Sequence, residues 1–219
     1  DLPRHTTRRI RGEGSALLVA HVDDGDAVLL GSEENKDLLI HFLNAMMNLP
    51  PGEEIVEVRL LNPFNEKTHL KDKRTVVDVK AIDSANNVYQ IDIQRQLHGF
   101  LAQRMGYNWA TLLAEELKEG ESFKHVRPVV SIWLLGQSLF PRLSHNLHRL
   151  RLSDSKTGAI IMPRSGLCVV ELPKVKTDTP IVDESQRWQR FFVEGKDFDT
   201  ERLPAYMQTK EMEKAISYS

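Results

Sequence analysis

The chain has 219 residues, 41% hydrophobic and 27% charged, with a formal net charge of −2. That length supports one medium domain with a real core, and no run approaches the roughly 18 apolar residues a membrane span needs. The near-neutral balance excludes a globally basic nucleic-acid binder, so any DNA contact rests on local patches.

One such patch is Arg4-His-Thr-Thr-Arg-Arg-Ile-Arg11, which reads first as a solvated terminus and only second as a DNA contact. The start at Asp1 reads as a fragment or a processed product, and residues 1–30 as an irregular arm with a short strand at 16–22. Ser32 is placed as an N-cap, with Glu33 and Glu34 in the first turn, where the helix dipole favours negative charge. Leu38, Leu39, Phe42, Leu43, Met46 and Met47 recur at helical spacing until Pro50-Pro51 closes the segment.

Ile55-Val-Glu-Val-Arg-Leu-Leu61 predicts a strand ended by Asn62-Pro63. A hairpin follows, with arms Thr75-Val-Val-Asp-Val-Lys-Ala-Ile82 and Val88-Tyr-Gln-Ile-Asp-Ile-Gln94 around Ser84-Ala-Asn-Asn87. A long helix over 97–117 carries Leu97, Phe100, Leu101, Met105, Trp109, Leu112, Leu113 and Leu117 on one face, and Gly120 stops it. Val129-Val-Ser-Ile-Trp-Leu-Leu135 predicts a buried strand. Further strands are expected at 148–152, 159–162 and 167–172, then a helix over 184–193 with Trp188, Phe191 and Phe192 as its stripe, then a short frayed helix.

The hairpin carries the chemistry. Strand side chains alternate, so Asp92 and Gln94 share one face while Tyr89, Ile91 and Ile93 share the other. With Asp78 on the facing strand, two carboxylates on a rigid sheet suit a hard divalent cation such as Mg²⁺. For Asp78 to share the face of Asp92, paired positions must sum to an even number. That predicts a three- or five-residue loop, or a bulge, with Asn87 or Asn86 in a left-handed conformation. Without that pairing, two aspartates and a glutamine are ordinary exposed polar positions of an antiparallel sheet.

Several chemistries lack their residues. Cys168 lies in the apolar run Gly166-Leu-Cys-Val-Val-Glu-Leu172 and reads as a small buried hydrophobe. One cysteine rules out a disulfide framework within the chain and fits a reducing, cytoplasmic setting. His145 and His148 stand three apart, but His41, His98 and His125 are scattered and give no zinc pattern. No GxxxxGK[ST], GxSxG or GxGxxG motif occurs.

Eight stretches together resemble the PD-(D/E)XK nuclease family of transposases, also described as recombination-promoting nucleases. They are Ser32-Glu-Glu-Asn-Lys-Asp-Leu-Leu-Ile-His-Phe-Leu-Asn44, Val58-Arg-Leu-Leu-Asn-Pro63, Asp72-Lys-Arg-Thr-Val-Val-Asp-Val-Lys-Ala81 and Ile91-Asp-Ile-Gln94, followed by Tyr107-Asn-Trp-Ala110, Leu117-Lys-Glu-Gly120, Arg127-Pro-Val-Val-Ser-Ile132 and Glu171-Leu-Pro-Lys174. The likeness is colinear from about Gly31 to Leu203.

It implies an α/β fold with a restriction-endonuclease-like α-β-β-β-α-β core, a mixed central sheet and C-terminal additions. The domain is expected over 31–175, with a helical extension over 176–219 packed on it or trailing from it. The implied activity is divalent-metal-dependent cleavage of DNA. The family's aspartate falls on Asp78 and its acidic-x-Gln motif on Asp92 and Gln94; Glu34, with Glu33 behind it, is the candidate acid from the first helix.

Three departures stand out. Asp92 occupies a position where relatives carry Glu, Asp26-Ala-Val-Leu-Leu30 replaces a Phe-Lys-Lys-like run, and the chain stops where relatives continue with charged helix. Together they read as a truncated or decaying copy.

The chemistry expected of the site is Mg²⁺, with Mn²⁺ as a substitute, held by Asp78, Asp92 and the Ile93 carbonyl. Gln94 stands where the superfamily usually has lysine and, being neutral, could orient the attacking water; the second possibility is that Lys80, two residues after Asp78 on the same face, supplies the missing ammonium. Arg104 and Tyr107, one turn apart, are candidate DNA contacts, the alternative for Arg104 being a plain surface arginine. Gln96 and Gln103 read as surface residues. The leading reading is a DNA endonuclease of mobile-element or recombination type. The alternatives are a catalytically inactive nuclease-fold protein binding DNA or protein, and a homo-oligomer using the apolar face of its terminal segment.

Overall fold

Six strands form one mixed sheet in the order β1-β2-β3-β4-β6-β5, in a computed structural model that describes residues 29–61, 78–96, 99–199 and 201–218. The basic segment at 4–11, the strand expected at 16–22, the start of the hairpin at 75–77 and Leu97 lie outside the described residues. The strands are β1 (Val58–Leu60), β2 (Asp78–Asp83), β3 (Val88–Gln94), β4 (Val129–Leu135), β5 (Leu147–Leu150) and β6 (Gly166–Glu171). The helices are α1 (Lys36–Met47), α2 (Leu101–Glu115), α3 (Glu184–Glu194) and α4 (Lys210–Tyr218). The order α1-β1-β2-β3-α2-β4 is that of a restriction-endonuclease-like core. The β3–β4 and β4–β6 pairs are parallel, while β1–β2, β2–β3 and β5–β6 are antiparallel.

Each face of the sheet has its own cover. On one, Val79, Ala81, Tyr89, Ile91, Ile132, Leu134 and Val170 pack with Leu38, Phe42 and Leu43 of α1 and Trp188, Phe191 and Phe192 of α3. The aromatic centre is built edge-on, with Phe42 5.5 Å from Trp188 and 5.8 Å from Phe192. On the other face, α2 lays Leu101 and Met105 against Trp133, Leu135 and Val169, and Leu112 against Ile82, Val88 and Val129.

Several expected elements are corrected. Ser32 makes no side-chain cap; a 3-10 turn, Glu33–Asn35, comes between it and α1. α1 ends at Asn48, in the left-handed conformation, before the two prolines are reached. α2 starts at Leu101 because Phe100 is left-handed (φ 67°) and 81% exposed, so Phe100 leaves the apolar face assigned to it. The segment 159–162 is no strand; it contributes one bridge, Ser153 to Ile160.

The terminal helix does not trail. Met212, Ala215 and Ile216 of α4 are buried in the same core as α1, which removes that face as a subunit contact. Among the described residues no helix is long and apolar enough to cross a membrane.

Candidate functional site

The hairpin register decides which side chains meet. Asp78 stands directly opposite Asp92, Lys80 opposite Gln90, and Ile82 opposite Val88. The sums are even, as a shared acidic face requires. The loop achieves this with three residues between Asp83 and Asn87, and Asn86 takes the left-handed turn at φ 63°.

Asp83 fastens that loop. Its carboxylate accepts hydrogen bonds from the Asn87 backbone N–H (2.8 Å), the Asn87 side-chain amide (2.7 Å) and the Tyr89 hydroxyl (3.0 Å). All three residues are buried, and burial beside the Asp83 charge pushes the Tyr89 hydroxyl far above its ordinary pKa. Sequence reading passed over Asp83. Its signal was an aspartate four residues before an asparagine across a tight turn.

Peptide orientation sharpens the picture. The Leu61 N–H donates to the Lys80 carbonyl at 2.8 Å, so the even positions of β2 turn their peptide groups toward β1. The even positions of β3 turn toward β4, as Val88 to Pro128 (2.8 Å) and Gly136 to Gln94 (2.9 Å) show. Positions 78 and 92 therefore form a non-hydrogen-bonded pair, the closer kind, with Cα atoms about 4.5 Å apart. The odd positions, Ile93 among them, turn their carbonyls toward β2.

Asp92 is 1% exposed and Gln94 is buried two residues farther along the same face. Gln94 Nε2 donates to the Gln96 carbonyl at 2.8 Å, which holds the amide in one orientation. Its Oε1 is buried with no hydrogen-bond partner among the described residues. Gln96 contributes only its backbone carbonyl to this contact, and its side chain is exposed, as a surface residue. Lys80 is half-buried and stands one diagonal step from Asp92, about 7–8 Å between backbones and within reach of its stem.

Trp133 is the β4 partner of Asp92, and the Arg104 guanidinium lies over its ring, 5.5 Å from the centroid. Arg104 is thereby half-buried on the Trp133 ring rather than projecting from a bare surface. Tyr107, one turn on, is 72% exposed. Glu34 is not brought to this group. It is exposed, its carbonyl accepts from Lys214 Nζ (2.9 Å), and its carboxylate accepts from the Tyr218 hydroxyl (3.5 Å), both on α4.

Gly136 holds the end of β3 in place. A Cβ there would lie 2.5 Å from the Arg95 carbonyl oxygen, so only glycine lets β4 close against the residue after Gln94.

A second polar group, unseen in the sequence, lies at the far side of the same face. Glu171 is fully buried; it accepts from the Phe140 N–H (2.8 Å), from His148 Nε2 (2.7 Å) and from Lys174 Nζ. Burial pushes its pKa up, but the bonds from Lys174, Phe140 and His148 outweigh that and hold the carboxyl below its ordinary 4.5. Its signal was one glutamate at the end of an apolar strand, three residues before a lysine. Cys168 is buried, and that burial pushes its thiol up to about 12.

The register sets position 78 opposite buried Asp92, and carboxylates on facing strands are the donor chemistry a hard divalent cation takes; a metal there would offset the repulsion of paired acids. Among the described residues no cluster of three or more His, Cys, Asp or Glu side chains converges as a cage. A family model described as PD-(D/E)XK nuclease family transposase matches residues 26–219. No curated protein and no solved structure matches the chain.

Proposed function

The chain belongs to the PD-(D/E)XK nuclease family of transposases, and from that premise we propose that it is a divalent-metal-dependent DNA endonuclease of mobile-element or recombination type. The observation that carries the reading is the direct pairing of Asp78 with buried Asp92.

Asp78, Asp92 and the Ile93 carbonyl would hold Mg²⁺, for which Mn²⁺ substitutes. The bound ion would neutralise charge on the phosphate and lower the pKa of water. The chain's own residues do the positioning. Gln94 cannot take a proton, but its Nε2 is tied to Gln96, leaving Oε1 to accept a hydrogen from the attacking water and aim its lone pair. Lys80 supplies the ammonium that the family's neutral glutamine lacks and is aimed from β2 at the same face. Arg104, steadied on Trp133, draws the phosphodiester toward the acids. Tyr107 offers an exposed ring and hydroxyl to the DNA backbone.

A nicking assay on supercoiled plasmid with Mg²⁺ tests this, comparing wild type with Asp78→Ala. Cleavage by wild type alone supports it. Equal signals, or none in either protein, favour the other reading, a catalytically silent member that binds DNA. The aspartate at position 92, where relatives carry glutamate, is the observation on that side.

A further inference from the structure

A cavity of about 300 Å³ opens between the chain before β5, the segment after β6 and the first turns of α3. It is lined by His145, Asn146, Lys174, Lys176, Gln186 and Arg190 among others, and among the described residues no carboxylate lines it. Lys174 and Arg190 are matched by Glu171 and Glu194, so Lys176 is the cation the cavity holds in excess, in a chain of net charge −2.

The pocket is built rather than incidental. Arg190 is buried and fixed from three sides: Nη1 donates to the Lys176 carbonyl (2.8 Å), Nε faces Glu194 (3.0 Å), and the guanidinium lies 5.2 Å from the Tyr206 ring centroid. Gln189, also buried, accepts from Asn146 and donates to Ser185 (3.1 Å). The counter-charges Glu171 and Glu194 stand behind the wall. Lys176 is exposed and carries no ion pair among the described residues, and His145 is exposed with its ring centroid 4.3 Å from that of His148, tilted by 47°.

We infer that this cavity is a phosphate-binding site, filled by a backbone phosphate of the DNA outside the step that is cut. The inference rests on the nuclease reading for its source of phosphate and on geometry for its placement. Gln94, Leu135 and Glu171 form one row across β3, β4 and β6, all at the same end of the sheet. Two strand spacings separate the ends of that row, about 10 Å. A DNA strand rising about 3.4 Å per nucleotide covers that distance in about three steps. A duplex whose scissile phosphate sits at Asp92, on the α2 face, carries further phosphates to this end of the sheet, around which the cavity opens beside the first turns of α3.

The test uses the full chain carrying Asp92→Asn, so that cleavage plays no part. Binding of a short fluorescent duplex is measured by anisotropy across a salt series with Ca²⁺ present, alongside calorimetric titration with inorganic pyrophosphate. Lys176→Ala is expected to weaken duplex binding several-fold and to reduce the slope of log K against log salt by about 0.9, the value of one phosphate contact. Adding His145→Ala is expected to weaken it further. Lys156→Ala, exposed in the loop at the opposite end of β6, serves as control and leaves both unchanged.

Unchanged duplex binding with pyrophosphate binding lost in Lys176→Ala supports the phosphate site but assigns it to a free phosphorylated molecule. A duplex slope and a pyrophosphate titration both identical to the parent overturn the inference. An inactive wild type would sink the nuclease reading and leave this measurement intact.

Discussion

Asp83→Ala is the perturbation that most directly probes what sets the hairpin register. The substitution removes the acceptor of three hydrogen bonds at 2.7–3.0 Å and leaves the Asn87 N–H, the Asn87 amide and the Tyr89 hydroxyl facing a space that water reaches poorly. Bonds to a charged acceptor contribute about 1.5–3 kcal/mol each, and the three share one carboxylate, so the sum is not additive. A total of about 3 kcal/mol is expected, which lowers the melting midpoint of a chain this size by about 6–12 °C. Scanning calorimetry of wild type, Asp83→Ala and Asp83→Asn reads it directly. Asp83→Asn falls between the two, since it keeps an acceptor for the Asn87 N–H but sets amide donors against each other. A fall below about 2 °C for Asp83→Ala, equivalent to 1 kcal/mol or less, refutes the idea that this carboxylate fastens the turn.

The other predictions concern the site and its supports. Asp92→Asn abolishes Mg²⁺-dependent nicking while leaving the metal-free melting midpoint unchanged or higher, because it removes a charge buried beside a second acid; a fall of many degrees would mean Asp92 is chiefly structural. Lys80→Ala lowers the nicking rate with little effect on stability, and full cleavage by that variant disposes of the proposed ammonium. Gly136→Ala forces the ends of β3 and β4 apart and lowers nicking more than it lowers the melting midpoint; equal activity would show that the Arg95 carbonyl can give way. The Glu171 carboxyl, held below its ordinary 4.5, contributes stability that is present above that value and lost as pH falls through the folded pKa. Glu171→Gln is therefore less stable than wild type near neutrality, and the gap narrows in acid below pH 4.5; a gap constant with pH contradicts this.

How much could be read in advance follows from where the information lies. β3 and β4 were legible to the residue, since alternation and a β-branched run are local signals. The even register was legible because a shared face is a parity condition, and the turn residues could satisfy it in few ways. Phe100 was misplaced because helical spacing counts an apolar residue as inward, whereas a left-handed N-cap swings it out before the helix begins. The terminal helix was undervalued for a related reason. Met212, Ala215 and Ile216 make a thin stripe, and only the tertiary neighbourhood of α1 shows that they are core. Arg104 on Trp133 and the Glu171–His148 contact depend on partners brought together by the sheet, which no spacing rule reaches, whereas Asp83 had a local signal in Asn87 four residues on. Glu34 was assigned by family likeness, and the structure instead joins it to α4.

The central claim is that two acids, one from each arm of the hairpin, share a single divalent ion. Crystals grown with Mn²⁺, with anomalous scattering recorded at the manganese edge, test it most directly. The account predicts one peak bounded by the carboxylates of Asp78 and Asp92 and the Ile93 carbonyl. Absence of manganese there, with the two carboxylates turned to opposite faces of the sheet, would contradict it.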